Sequence, residues 1–89
     1  MYKVRIERKV QKKIAKISEP YYSKIKSAIL ALGDNPRPMG HIKLKGKDVC
    51  RIRVGNFRII YEIHDVILLV DVIDVGHRSD ILSHFIVSK

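Results

Sequence analysis

The chain has 89 residues, 46% of them hydrophobic, which allows one small domain with one core, spanning residues 1–89. Eighteen Lys and Arg residues against nine Asp and Glu give a net charge of +9. Such a charge is typical of a protein that binds nucleic acid or an acidic protein. No apolar run approaches the roughly 20 residues of a membrane span, and the N-terminus lacks the apolar region of a signal peptide. The single cysteine, Cys50, permits no disulfide within the chain and is predicted to be a small buried hydrophobe rather than a nucleophile. We therefore expect an intracellular, cytoplasmic protein without a membrane partner.

The first part of the chain predicts one strand and two helices. Residues 2–6 alternate between apolar and polar side chains, which is typical of a strand. Residues 10–17 carry apolar side chains at helical spacing among lysines and predict a short amphipathic helix with a basic outer face. A second helix is predicted to begin near Pro20 and to end at Gly33, with an apolar stripe along residues 22–32. The short connection predicts that the two helices form a helical hairpin.

The segment that follows is basic and begins with a proline-containing loop. Residues 34–40 include two prolines and lead into residues 41–46, which contain Lys43 and Lys45. A central strand at this place would turn lysines towards the core on one face. We therefore expect the segment at an edge of a sheet or in a loop over it.

Residues 50–61 predict a β-hairpin with charged side chains on one face. Apolar and charged residues alternate on both sides of the Gly-Asn pair at 55–56, which is suited to a type II′ turn. Pairing across this turn sets Arg53 opposite Arg58, with Arg51 two residues back on the same face. Like charges directly opposite each other destabilise a strand pair. This face is therefore predicted to bind an anion, most simply a phosphate.

The last part of the chain predicts a further strand and a short helix. A turn at residues 64–65 is predicted to lead into residues 66–75, the most apolar run, as the central strand. So tight a turn also sets Arg58 opposite Asp71, and a salt bridge between them is the alternative to anion binding. Residues 81–87 predict a short C-terminal helix. This order of elements favours an α+β fold, with the helical hairpin on one face of an antiparallel sheet and the arginines on the other.

Four short segments have a recognisable composition and order. They are residues 35–38 (Asn-Pro-Arg-Pro), 43–46 (Lys-Leu-Lys-Gly), 51–61 (Arg-Ile-Arg-Val-Gly-Asn-Phe-Arg-Ile-Ile-Tyr) and 75–78 (Val-Gly-His-Arg). In this order they resemble the RelE/ParE superfamily of bacterial and archaeal toxins from toxin–antitoxin modules, over nearly the whole chain. The superfamily includes ribosome-dependent messenger-RNA endonucleases, which are RelE-like, and gyrase poisons, which are ParE-like and cut no RNA.

The resemblance to RelE-like enzymes implies a reaction without a metal ion or other cofactor. These enzymes cut the messenger in the ribosomal A site by attack of the RNA's own 2′-hydroxyl on the neighbouring phosphate. The protein orients the nucleotide, stabilises the added charge on the phosphate and helps protons to move. By matching motif, Arg51 and Arg53 stand where these enzymes have two lysines. Arg58 matches a phosphate-binding arginine, and Arg78 matches the arginine that follows the last strand.

Two departures from the family concern proton transfer and the C-terminus. Arg51 cannot readily act as a general base, because a guanidinium stays protonated at neutral pH. Proton transfer then falls to His77 or His41, whose ordinary pKa near about 6.5 suits neutral pH. The position of a family tyrosine that contacts the nucleotide is Leu82, and Phe85 supplies a ring without a hydroxyl. The histidines lack the carboxylate or cysteine spacing of a metal site.

The predicted site and partners leave two alternatives open. His41, Lys43, Lys45 and Phe85 are the predicted RNA-binding residues beside the arginines. The implied partners are the ribosome with messenger RNA in its A site and a RelB-like antitoxin whose acidic segment covers the arginine face. The alternatives are a ParE-like DNA gyrase poison and a catalytically weak relic that binds RNA or antitoxin. The complete arginine set favours the endonuclease, and Leu82 counts against it.

Overall fold

A computed structural model describes residues 1–44 and 48–77 as two helices and a five-stranded sheet. The α+β class predicted from the order of elements is confirmed. The elements in chain order are β1 (Lys3–Ile6), α1 (Arg8–Ala15), α2 (Tyr21–Asp34), β2 (Ile42–Lys43), β3 (Val49–Val54), β4 (Phe57–His64) and β5 (Leu69–His77).

Both helices pack on one face of the sheet through the apolar residues that their spacing predicts. Helix α1 buries Val10 and Ile14, and α2 buries Ile25, Ile29 and Leu32. These side chains form one core with the inward-facing residues of β3, β4 and β5. Full burial of each contributes about 1.5 to 3 kcal/mol. Neither helix has the length and apolar character needed to cross a membrane.

The sheet is mixed rather than antiparallel. Its strand order is β1-β5-β4-β3-β2, and β1 runs parallel to β5 while the other neighbours are antiparallel. The predicted fully antiparallel sheet was therefore wrong at one strand. The two helices carry the chain away from β1, and β1 pairs with a strand more than 60 residues later, from Lys3 opposite Leu69. No local sequence pattern predicts a strand pairing over such a distance along the chain. Residues 42–43 of the basic segment form the edge strand β2, in agreement with the predicted edge position.

The connection between β4 and β5 is longer than predicted. Strand β4 continues to His64, the turn occupies residues 65–68, and β5 begins at Leu69, where its pairing with β1 starts. Residues 66–68 are exposed, and Leu68 has a φ of 52°, outside the region of strands. The predicted two-residue turn was therefore wrong. Strand β5 is internal, but β4 is the central strand.

The register of β4 and β5 also shows whether Arg58 can form the alternative salt bridge with Asp71. Arg58 lies opposite Gly76, whereas Asp71 lies opposite Glu62. The carboxylate of Asp71 instead accepts hydrogen bonds from Nε and Nη2 of Arg5, at 3.3 and 2.8 Å. The pairing that would set Arg58 opposite Asp71 is therefore not the pairing of this sheet, because the turn is four residues long rather than two.

The face of the sheet turned away from the helices carries the hairpin arginines, as predicted. A second, smaller apolar cluster lies there, formed by Val49 and Ile60 with Leu44 and Ile73 packed against them. The predicted C-terminal helix at residues 81–87 lies outside the described residues.

Candidate functional site

The β3–β4 hairpin turns at Gly55 and Asn56, as the sequence predicts. Gly55 has a φ of 59°, and Asn56 does not share a positive φ, which agrees with a type II′ turn. A Cβ atom on Gly55 would lie 2.5 Å from Cε1 of Tyr21 on α2. The turn therefore packs closely on the helix, and this contact holds the hairpin in a fixed position.

Three arginines project from the hairpin on the side away from the helices. Arg53 and Arg58 are directly opposite each other, and Arg51 lies opposite Ile60 on the same face. Arg53 is exposed, Arg51 is half-buried, and Arg58 is only 5% exposed. Since like charges at directly opposed positions repel, an anion bound between Arg53 and Arg58 would stabilise the pair. We call Arg51, Arg53 and Arg58 the arginine face.

Three ion pairs of the described residues lie away from this face. Asp71 binds Arg5 at 2.8 Å, Asp74 binds Lys13 at 2.7 Å and Asp65 binds Arg37 at 2.9 Å. Within residues 1–44 and 48–77, neither Arg51 nor Arg53 forms an ion pair. The positive charges of Arg51 and Arg53 are therefore available to an external anion.

His77 lies on the other side of the sheet from the arginine face. It is directly opposite Phe57, whose side chain packs against the helix-side core, and the two rings meet edge to face at 5.8 Å. Gly76, one residue earlier, takes the position opposite Arg58. The alternation of side chains along β5 thus separates His77 from the arginines, although the sequence grouped them.

His41 precedes the edge strand and has a defined ring orientation. Its Nδ1 lies 2.8 Å from the carbonyl oxygen of Pro38. A carbonyl oxygen only accepts hydrogen bonds, so Nδ1 carries the proton and Nε2 of the neutral ring keeps a lone pair. Lys43 pairs with Cys50, whose side chain faces the helices, so Lys43 points to that side and does not share the arginine face.

Three of the predicted site residues are outside the described part of the chain. They are Lys45, Arg78 and Phe85, and Leu82 is outside it as well.

The Asn-Pro-Arg-Pro segment forms a network that sequence spacing does not reveal. The hydroxyl of Tyr61 donates a hydrogen bond to the carbonyl of Pro36 at 2.7 Å. Arg37 donates two hydrogen bonds to Asp65 in the β4–β5 turn, and the hydroxyl of Tyr2 donates to the same carboxylate. Hydrogen bonding from Arg37, and then from Tyr2, lowers the pKa of Asp65. The segment therefore fixes the loop before β2 to the end of the sheet.

Cys50 is buried, and its thiol is a poor nucleophile. It is 3% exposed, and burial raises the pKa of its thiol. Because the thiolate is the nucleophilic form, a raised pKa opposes reactivity. The interpretation of Cys50 as a small buried hydrophobe is confirmed.

One group of side chains has the types of a metal site. Glu62, His64 and Asp71 place one ligand atom each within 4.8 Å of one another, a proximity that the sequence did not predict. Both oxygens of Asp71 already accept hydrogen bonds from Arg5. Asp71 is therefore already engaged by a guanidinium, while His64 lies 3.5 Å from Glu62, and we assign the group a structural role.

Comparison with known proteins places this geometry in a family. The sequence model of the ParE toxin of the type II toxin–antitoxin system, parDE, matches residues 4–82. A chain of the archaeal RelE–RelB complex from Pyrococcus horikoshii OT3 has a TM-score of 0.80 at 25% identity, covering 86% of this chain and 94% of that chain. The isolated E. coli RelE toxin has a TM-score of 0.76 at 24% identity, covering 97% and 96%. A chain of the RelBE2 complex from Mycobacterium tuberculosis has a TM-score of 0.74 at 21% identity, covering 86% and 98%. No curated protein shows significant sequence similarity.

The family match spans most of the chain, and the similar structures share its two helices packed on a five-stranded sheet. The chain therefore belongs to the ParE toxin family, within the RelE/ParE superfamily, and is a toxin of a toxin–antitoxin system.

Proposed function

We propose that this toxin is a ribosome-dependent messenger-RNA endonuclease that uses its arginine face to stabilise the transition state. The observation that carries the proposal is the directly opposed pair Arg53 and Arg58, with Arg51 on the same face. In cleavage by the RNA's own 2′-hydroxyl, negative charge accumulates on a five-coordinate phosphate. Preorganised cations at that position supply the electrostatic stabilisation that such a reaction needs.

Proton transfer is the part of the reaction that the arginines do not perform. A guanidinium stays protonated at neutral pH, so Arg51 binds charge but does not accept a proton. Nδ1 of His41 is engaged with the carbonyl of Pro38, which leaves its Nε2 for a substrate, whereas His77 lies on the helix side. We therefore propose His41 as the general base. Arg58, together with Arg78 as the family resemblance implies, would bind the phosphate.

The same face suits an antitoxin. The similar structures from Pyrococcus horikoshii and Mycobacterium tuberculosis are toxin–antitoxin complexes. A chain with a net charge of +9, in which Arg51 and Arg53 form no ion pair among the described residues, attracts an acidic segment. We propose that a RelB-like antitoxin covers the arginine face and thereby blocks access to RNA.

A ParE-like gyrase poison is the second candidate. It is favoured by the match to the ParE toxin model and by Leu82 at the position of the family tyrosine. In that case the arginines contact protein or DNA, and no bond in RNA is cut.

One experiment separates the two candidates. Purified toxin is added to translating ribosomes on a defined messenger, with cuts mapped by primer extension, and in parallel to gyrase in a supercoiling assay. We expect cuts that require ribosomes and normal supercoiling. Intact messenger together with trapped gyrase cleavage complexes would assign the chain to the gyrase poisons.

A further inference from the structure

The end of the sheet next to the hairpin turn carries three adjoining rings. The ring centroids of Tyr21 and Phe57 are 5.4 Å apart at an interplanar angle of 50°, and those of Phe57 and His77 are 5.8 Å apart at 75°. Tyr21 and Phe57 are half-buried, and His77 is exposed. These rings line a surface cavity of about 570 Å³ between the α1–α2 connection and the hairpin turn. A volume of this size is typical of small-ligand sites.

The rim of this cavity carries a few polar groups of different kinds. Lys16 supplies a positive charge, Asn56 an amide and Glu19 a carboxylate. Glu19 is held in place because its two oxygens accept hydrogen bonds from the backbone N–H and the hydroxyl of Ser23, at 3.1 and 2.7 Å. Each carboxylate oxygen still has a second lone pair for a ligand. Aromatic walls with one cation and hydrogen-bonding groups are the chemistry that recognises an unpaired nucleobase.

The cavity lies on the helix side of the sheet, one residue pair along the strands from the arginine face. Phe57 pairs with His77, and the next pair along the two strands is Arg58 with Gly76. A nucleotide chain that passes around the hairpin end can therefore place a base against the rings while a neighbouring phosphate meets the arginines.

We propose that the cavity formed by Tyr21, Phe57 and His77 binds one unpaired base of the RNA, next to the phosphate held by the arginine face. This inference rests on the proposed function, because it takes RNA as the ligand. It gives His77 a role in positioning the substrate rather than in proton transfer. Glu19 accepts from an exocyclic amino group, so adenine, cytosine and guanine bind better than uracil.

A titration without ribosomes tests the site directly. Isotope-labelled full-length toxin is titrated with AMP, CMP, GMP and UMP, and the ring resonances are followed by NMR, with ribose 5-phosphate as the control. We expect saturable shifts of the Phe57 and His77 rings with the nucleotides, about fivefold weaker for UMP, and none with ribose 5-phosphate. Unmoved rings, or equal shifts with ribose 5-phosphate, would overturn the site. Equal binding of all four nucleotides would overturn the role of Glu19.

Paired variants of exposed residues sharpen the test. His77→Ala should weaken nucleotide binding about tenfold, the effect of one lost stacking contact, and His77→Phe should retain it. Lys16→Ala should weaken binding severalfold, whereas Lys12→Ala, the same change within α1 and outside the cavity, should not. A folded His77→Ala variant that binds nucleotides normally would overturn the proposal. Since no ribosome is involved, base binding without messenger cleavage would contradict only the proposed endonuclease.

Discussion

Arg53 differs from Arg58 in a way that matters for any test of the site. Both lie on the arginine face, directly opposite each other, but Arg53 is exposed whereas Arg58 is 5% exposed. Replacing a buried side chain perturbs packing as well as charge. Loss of Arg53 is therefore the cleaner measure of what the charge itself contributes to activity.

We expect Arg53→Ala to lower ribosome-dependent cleavage by about 10²-fold, the effect of removing one preorganised charge-stabilising donor. The melting temperature should stay the same or rise, because the substitution relieves repulsion with Arg58. Lys9→Ala, which removes an exposed cation from α1, serves as the control and should cleave normally. Equal losses in both variants would mean that cleavage depends on overall charge and not on the arginine face.

His41 provides a second prediction for a single residue. We expect His41→Ala to lower the cleavage rate by about 10²-fold and to remove the acidic limb of the pH–rate profile, because a general base must be deprotonated to act. The measurement is single-turnover cleavage between pH 5 and 8. His64→Ala is the matched control, since His64 is also half-buried but lies beside Glu62. An unchanged pH profile in His41→Ala would remove His41 from the mechanism.

The hairpin is the element whose geometry the site depends on most. Among the described residues, two glycines have a positive φ but different surroundings: Gly55 has a φ of 59° and contacts Tyr21, whereas Gly40 has a φ of 92° and open space around it. A Cβ at Gly40 meets only the backbone penalty, while a Cβ at Gly55 also displaces the ring of Tyr21.

We expect Gly40→Ala to lower the free energy of unfolding by about 1 to 2 kcal/mol, the cost of a left-handed backbone for a residue with a Cβ. Gly55→Ala should cost more and should also lower cleavage, because the hairpin shifts on α2. Urea unfolding and cleavage rates of both variants provide the comparison. If the two substitutions have equal effects on stability, Tyr21 does not fix the turn.

The loop before β2 is held by charge, which makes its stability depend on pH. The folded-state pKa of Asp65 lies below its unfolded value, so the pairing with Arg37 and Tyr2 stabilises the fold above the unfolded pKa. This contribution is lost as the pH falls through the folded pKa. We expect Asp65→Asn to be less stable than the parent chain at pH 7 and equally stable at strongly acidic pH. Thermal unfolding of both proteins from strongly acidic pH to pH 7 measures the difference in stability. A difference that persists in acid would contradict the role of the Asp65 charge.

The molecule as a whole has an excess of positive charge for which its own carboxylates do not compensate. The net charge is +9, and each of the aspartates 65, 71 and 74 is paired with a cation away from the arginine face. A second macromolecule with acidic groups is the natural complement to such a chain.

Expression of the chain alone should therefore arrest growth, and co-expression of a small acidic protein encoded beside it should restore growth. The measurement is colony formation with and without the neighbouring gene. The Arg53→Ala variant, with reduced toxicity, controls for the burden of expression. Harmless accumulation of the intact, folded toxin would contradict its activity as a toxin.

The sequence determined the features that repeat at short range. Helical spacing gave the core residues of α1 and α2, and alternation gave the hairpin, its turn at Gly55 and the opposition of Arg53 and Arg58. These patterns are local, because a side chain's face follows from its position in a turn of helix or along a strand. The four motif segments gave the superfamily for the same reason, since each is short and continuous.

Tertiary structure alone decided the pairings between distant residues. The β4–β5 turn occupies residues 65–68, so β5 begins at Leu69, where it pairs with β1, and its register with β4 sets Gly76 rather than Asp71 opposite Arg58. The same register turned His77 towards Phe57 and away from the arginines. A shift along a strand by one residue reverses the face of every side chain, so no reading of β5 by itself could assign His77. The physical reason is that register depends on which strands become neighbours, and that depends on packing of the whole chain.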